Sequence, residues 1–287
     1  MHQSPPIERR AWAKLNLALS VAPPDETGMH PICSWMTCVD VYDTVRITRL
    51  GEGEASEFDL RWADGSPVAW DTQTDLGARA HALLEREAGR RLPVRVELRK
   101  SIPAGGGLGG GSSDGACVMR TIDELFGLGL GAERLAALSR ELGSDVAFFL
   151  DERSPARPAI VTGLGERVER LAPISGDVTL VCPPFGCKTG RVYRAYDDAP
   201  AALREPDVRA LAGSAPDPAR LFNDLASAAE RVEPRLGELR AYLSSALGLP
   251  VHVSGSGSTL FVLGPEGTPE RVRLAAPSCR TLPTRFV

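Results

Sequence analysis

The chain has no CxxC pair, although it carries six cysteines, at 33, 38, 117, 182, 187 and 279. Two pairs are spaced C-x4-C with no histidine beside them, so no zinc set is completed and the six read as reduced, mostly buried thiols. Histidine is scarce as well, at 2, 30, 81 and 252 only, too scattered for a metal cluster. No apolar run is long enough to cross a bilayer. Positive charge is not in excess: 33 Lys and Arg face 37 Asp and Glu, for a net charge of −4. That balance argues against a general nucleic-acid or anionic-membrane surface. No internal repeat is evident. After Arg9-Arg10 the stretch Ala11 to Ala22 superficially resembles an export signal, but Lys14 and Asn16 interrupt it and no small-residue cleavage site follows. The expectation is a cytoplasmic protein.

What is present is a 287-residue chain, 43% hydrophobic and 24% charged, the composition of a soluble globular protein with one large or two ordinary domains. Its most biased stretch is Pro103-Ala-Gly-Gly-Gly-Leu-Gly-Gly-Gly-Ser-Ser-Asp-Gly-Ala116, where six of the nine residues 105–113 are glycine. The alternating run Val94-Arg-Val-Glu-Leu98 before it reads as a strand. After it, Val118, Ile122, Leu125 and Phe126 recur at helical spacing, with Gly127 as the stop. Glycines let backbone N–H groups turn inward and approach an anion, and a helix N-terminus adds unpaired donors and partial positive charge. Strand, glycine loop, helix therefore reads as a phosphate cradle. A Walker A loop would end in Gly-Lys-Ser/Thr, but Gly111 is followed by Ser112, Ser113 and Asp114. GxGxxG matches at Gly105, Gly107 and Gly110, yet the acidic residue of a dinucleotide fold is not at the next strand's end. The HRD and DFG elements of protein kinases are absent.

Elsewhere, alternation over 7–22 predicts a strand. It places Lys14 and Asn16 on one face, which alternation alone reads as turned to solvent. His30 follows a Pro- and Gly-containing turn and, from periodicity alone, is a structural histidine. Helices are expected over 75–87 and 132–142, the latter ended by Gly143. Asp145 then reads as a cap or turn residue. Residues 155–165 are punctuated by Pro and Gly, and 197–219 read as a charged surface connection. A strand over 178–182, helices from 189, over 223–232, 235–247 and 268–275, a strand pair within 251–263 and a last strand over 280–287 complete an α+β pattern. The division expected is 1–165 and 166–287.

The loop at 103–113, Gly143-Ser-Asp145 and Ser254-Gly-Ser-Gly-Ser258 together resemble the three motifs of the GHMP small-molecule kinases. Ala13-Lys-Leu-Asn-Leu17, Gly28-Met-His30, Gly143-Ser-Asp-Val-Ala-Phe-Phe149 and Phe222-Asn-Asp-Leu225 extend the resemblance over essentially the whole chain. Within the family they are similar to members that phosphorylate an alcohol on a cytidine-diphosphate-linked methylerythritol, in non-mevalonate isoprenoid precursor synthesis. The resemblance implies a two-domain fold, ribosomal protein S5 domain 2-like followed by ferredoxin-like. It implies ATP and Mg2+ as cofactors, a small-molecule substrate, no nucleic-acid or membrane partner, and a monomer or homodimer. It pairs Lys14 with Asp145 as catalytic residues at the acceptor hydroxyl. It assigns the ATP phosphates to Pro103, Ala104, Gly105, Gly106, Gly107, Leu108, Gly109, Gly110, Gly111, Ser112 and Ser113, either serine being a magnesium contact, and Lys100 just before the loop is within reach of the nucleotide. It assigns the substrate to Asn16, Met29, His30 and Tyr193, with Met29 where an aromatic is usual. The alternatives it leaves open are a homoserine, mevalonate or sugar kinase, or an inactive nucleotide-binding relative.

Overall fold

The computed structural model describes residues 5–287; His2, one of the four scattered histidines, lies outside them. In chain order the elements are strand β1 (Ile7–Val21), β2 (Ile32–Arg49), β3 (Glu57–Trp62), helix α1 (Leu76–Ala88), β4 (Val94–Lys100), α2 (Gly110–Phe126), α3 (Gly131–Ser139), α4 (Val146–Phe149), β5 (Ala159–Gly163) and β6 (Arg167–Arg170). Then follow β7 (Asp177–Cys182), α5 (Thr189–Tyr196), α6 (Glu205–Ala212), β8 (Phe222–Asn223), α7 (Ala226–Val232), α8 (Pro234–Leu247), β9 (His252–Val253), β10 (Leu260–Val262), α9 (Thr268–Ala275) and β11 (Arg280–Arg285). The α+β reading of the sequence is the architecture observed.

The residues gather into two compact units that interleave along the chain. The first holds the described residues up to Ala13, with Val41–Ile102 and Gly109–Ala156; the second holds Lys14–Asp40, Pro103–Leu108 and Arg157–Val287. The expected division at residue 165 is a division of sequence, whereas these units each draw on separated segments.

In the first unit, β4 pairs antiparallel with Thr44–Arg49 of β2 and parallel with β3. The buried side of this sheet presents Val45, Ile47, Val94, Val96 and Leu98, and α1 and α2 contribute Leu84, Val118, Met119 and Ile122. Asp75 caps α1 by accepting from the Gly77 N–H at 2.8 Å, which satisfies one of the helix's open donors. α2 ends where the sequence predicts: Gly127 has φ +59° and returns its N–H to the carbonyls of Asp123 and Glu124, an αL stop that only glycine adopts cheaply.

In the second unit a four-stranded antiparallel sheet runs β11-β7-β10-β9. Its core is Val178, Leu180, Val253, Phe261 and Val262, with Leu236, Leu243 and Val272 from the helices. Separately, β5 pairs with Ile32–Met36 of β2 and with β6, and β8 pairs parallel with β1 at Ala18 and Leu19.

Five local expectations are corrected. Residues 197–219 contain α6, whose apolar side is only Val208 and Leu211 among charges, too thin a stripe to stand out. The Pro- and Gly-punctuated stretch at 155–165 contains β5, a strand stabilised by pairing rather than by local propensity. Phe222 and Asn223 form β8, and the helix expected from 223 starts at Ala226. α3 stops at Ser139 and finishes in turns before Gly143. Lys14 and Asn16 are likewise not turned to solvent; each is 3% exposed, because both faces of β1 are covered there.

Candidate active site

The part of the glycine loop in the second unit, Pro103–Leu108, rests on the Ser254–Thr259 turn between β9 and β10. Thr259 N donates to Gly106 O at 3.1 Å, and Ser254 Oγ donates to Gly107 O at 3.1 Å. The approach is so close that side chains are excluded. A Cβ on Gly107 would stand 2.1 Å from the Ser254 carbonyl oxygen, and one on Gly106 would stand 2.5 Å from Thr259 Oγ1. Leu108 is buried and its carbonyl accepts from Lys14 N at 2.9 Å, so β1 anchors the loop. Ala104 and Gly105 form its exposed crest.

Lys14 belongs to the same cluster. Its Nζ donates to Asn16 Oδ1 at 2.5 Å, Asn16 Nδ2 donates to Ser34 Oγ at 2.8 Å, and Ser34 donates to Ala18 O at 2.8 Å. Both long side chains are therefore held in one geometry by a chain of hydrogen bonds inside a buried setting. Gly255 closes this side: a Cβ there would lie 3.2 Å from Asn16 Oδ1 and 3.3 Å from Lys14 Nζ. The turn is itself held by Asn223, whose Nδ2 donates to Val253 O at 2.8 Å and Gly255 O at 2.7 Å while its Oδ1 accepts from Leu225 N at 2.9 Å. Asn223 was not singled out for a role by sequence reasoning. Only its place in the Phe222–Leu225 motif marked it, because a residue that staples a distant turn leaves no periodic signal.

In the first unit, α2 begins at Gly109, which has φ +70°, no side-chain cap and no acidic residue in the first turn behind it. Its first N–H groups are thus left for an external acceptor, which is the feature a phosphate needs. Gly110, Gly111, Ser112 and Ser113 form this first turn. Lys100, expected at the nucleotide, is committed elsewhere. Its ammonium is buried and paired with Asp43 and Asp114, and Asp43 Oδ1 also accepts from Ile102 N at 2.8 Å. The three residues tie the end of β4 to the first turns of α2, so Lys100 sets the span that the glycine loop must cover. Burial, reinforced by Asp43, pushes Asp114 well above the usual carboxylate range despite the Lys100 ammonium. Its Oδ1 is buried without a partner among the described residues. Both facts fit a protonated Asp114. Asp145, also in this unit, is half-buried at the N-cap position of the four-residue α4, and its side chain does not cap that helix. Of the cap or turn expectation for Asp145, the turn is observed and the side-chain cap is not.

A second cluster in the other unit gathers substrate-side expectations. The His30 ring has Nδ1 3.0 Å from Ala22 O and Nε2 3.2 Å from Asp197, and its centroid lies 5.1 Å from that of Tyr193. His30 and Tyr193 are thus brought together, with Tyr196 edge-on at 6.0 Å. Met29 is not part of this group; its side chain is 48% exposed. Among the described residues, no three His, Cys, Asp or Glu form a metal-holding cluster. No helix among them is long and apolar enough to cross a membrane. The cysteines are thiols rather than disulfides, and burial pushes Cys117 up to about 12 and Cys33 and Cys182 up to about 11, which leaves them unreactive.

Two domain models of one family match the chain: "GHMP kinases N terminal domain" over residues 76–152 and "GHMP kinases C terminal" over residues 199–279. The chain belongs to the GHMP kinase family. The 4-diphosphocytidyl-2-C-methyl-D-erythritol kinase of Exiguobacterium sibiricum is 33% identical to this GHMP kinase over 261 residues, spanning 88% of this chain and 87% of the relative. A crystal structure of 4-(cytidine 5'-diphospho)-2C-methyl-D-erythritol kinase superposes with a TM-score of 0.74 at 32% identity, covering 98% of this chain and 99% of that one. The homoserine kinase of Cytophaga hutchinsonii superposes with a TM-score of 0.72 at 15% identity, covering 100% and 96%; that likeness concerns fold alone. The two-domain α+β fold expected from the sequence is that of the GHMP kinases, enzymes that transfer phosphoryl groups from ATP.

Proposed function

We propose that this GHMP kinase phosphorylates the 2-hydroxyl of 4-diphosphocytidyl-2-C-methyl-D-erythritol in the non-mevalonate route to isoprenoid precursors. The observation that carries the reading is identity of 33% along 88% of the chain to a relative named for that activity. The alternatives, a homoserine, mevalonate or sugar kinase or an inactive relative, have no support of comparable identity.

In this reading the open N–H groups of α2, with the backbone of the 103–108 loop, bind the ATP phosphates. The first-turn glycines allow that approach because no Cβ stands between backbone and anion. The Ser112 or Ser113 hydroxyl would hold the Mg2+ that arrives with ATP, and the ion would offset charge on the phosphate oxygens. Asp145 takes the proton of the acceptor hydroxyl as the phosphoryl group transfers, since an alcohol is a weak nucleophile until deprotonated. Lys14, oriented by Asn16, offsets charge developing on the transferring oxygens. Tyr193 offers its ring face to the cytosine and His30 supports that ring and reads the base edge. Met29, exposed beside His30, meets the substrate from the turn that carries both, and Lys100 serves as the loop clamp rather than a nucleotide contact. The enzyme acts as a cytoplasmic monomer or homodimer on a small molecule, without nucleic-acid or membrane partners.

The test is an ATP-consumption assay with the cytidine-diphosphate methylerythritol beside homoserine and mevalonate. Turnover of the first is expected; turnover of either rival alone would overturn the substrate assignment.

A further inference from the structure

A cavity of about 420 Å³ in the first unit lies along α2, the start of β1 and the 149–156 segment. Arg9, Arg10, Arg120 and Arg153 line it, with the residues Ser113 and Ser154, and no carboxylate is among its lining. Trp12 and Phe149 supply an apolar side. The positive charge is partly offset, and only from outside the cavity lining. Arg9 pairs with Glu124. Arg10 lies over the Tyr42 ring at 4.3 Å, which leaves its charge in place. Arg120 donates to the backbone carbonyls of Arg153 at 3.4 Å and Glu152 at 3.5 Å, with the Asp151 and Glu124 carboxylates acting on it from outside the cavity lining. Burial and the like charge of Arg9 both push the Arg120 guanidinium down from its ordinary value, more than the nearby carboxylates restore.

Guanidinium groups present paired N–H donors in a fixed fork that matches phosphate oxygens. Several forks and two serines around one cavity fit a dianion with three equivalent oxygens better than a carboxylate with two. The space is also larger than a bare ion needs. Small-molecule pockets start near 300 Å³, and the half-buried Trp12 indole leaves part of its ring open along the cavity, beside the buried Phe149. We propose that this cavity binds a phosphomonoester carrying a small apolar or aromatic group.

Phenyl phosphate is the probe, titrated by calorimetry into the full-length protein. Because Ser113 also lies in the turn assigned to ATP, the titration is run with a saturating non-hydrolysable ATP analogue and Mg2+. One site is expected, with Trp12 fluorescence changing in parallel. Arg120→Gln and Arg153→Gln should each weaken it by about tenfold or more, the loss of a charge-assisted hydrogen bond. Arg153 is exposed, so its variant keeps the fold and the basal ATP turnover even if Arg120→Gln disturbs packing. No binding with the analogue present, or affinity unchanged in Arg153→Gln, would overturn the site. Inorganic phosphate binding as tightly as phenyl phosphate would overturn the ester assignment.

Discussion

Replacing Gly107 by alanine asks whether the glycine loop is defined by backbone conformation or by close packing. Gly105 is the internal control. Both residues have positive φ, +69° at Gly105 and +76° at Gly107. An L side chain in that region costs about 1–2 kcal/mol. At Gly105 nothing lies within 4 Å of the added Cβ, so the conformational cost is the whole cost. At Gly107 the Cβ would stand 2.1 Å from Ser254 O and 3.3 Å from Gly257 N. These are backbone atoms that cannot rotate aside, so the turn must shift, and such overpacking costs about 1–3 kcal/mol more. The totals are about 1–2 kcal/mol for Gly105→Ala and about 2–5 kcal/mol for Gly107→Ala. At about 2–4 °C per kcal/mol for a domain of 150–250 residues, Gly107→Ala should lower Tm by about 4–20 °C and Gly105→Ala by about 2–8 °C. The shifted turn carries Gly255, which faces Lys14 and Asn16, so Gly107→Ala should also lower kcat. Thermal melts followed by circular dichroism, with an ATP-consumption assay on each variant, measure both effects. Equal loss of Tm and turnover in the two variants would refute the idea that the loop rests on the Ser254 turn.

Asp145→Asn should lower kcat by about 10²–10⁴ while ATP affinity is kept; near-normal turnover would remove Asp145 as the base. Asn223→Asp should destabilise more than Asn223→Ala in urea titrations, although it is nearly isosteric. The carboxylate would meet the carbonyls of Val253 and Gly255 with no proton to donate, whereas alanine only leaves them unbonded, at about 1–3 kcal/mol. Equal midpoints would show that Asn223 does not staple the turn. Asp114 gives a pH dependence. Its folded pKa is raised, so above about pH 4 the unfolded chain releases this proton while the folded chain keeps it. Stability from this group therefore falls as pH rises through that window until the folded group also ionises. Asp114→Asn, which mimics the protonated acid, should gain Tm relative to the wild type as pH goes from 4 to 7. A Tm difference that does not change with pH would mean that Asp114 is ionised beside Lys100.

Much of the candidate site was legible because its chemistry is local. Six glycines in nine residues between a strand and a helix can only be a tight loop ending at open helix donors, and glycine is what that backbone requires. The helix stop at Gly127 was equally readable, since αL conformation at a helix end is a one-residue property. The likeness of the motifs around Lys14, Asp145 and His30 marked residues whose spacing alone said nothing. What stayed hidden depends on groups distant in sequence. Alternation put Lys14 and Asn16 on a face but could not say that the face is covered. Lys100 precedes the loop and looked available to a nucleotide. Its two carboxylates come from 57 residues before and 14 after it, and burial made that pairing the stronger claim on its charge. Strand β5 and helix α6 were missed because pairing and packing outweighed weak local patterns.

The sequence by itself determined that a glycine loop runs into a helix with open first-turn N–H groups, because φ preferences and unpaired donors are properties of adjacent residues. Only the tertiary structure decided which charges face solvent, which are spent on one another, and why Gly107 admits no side chain. Those depend on desolvation and on a backbone approach from Ser254, which no stretch of neighbouring residues contains.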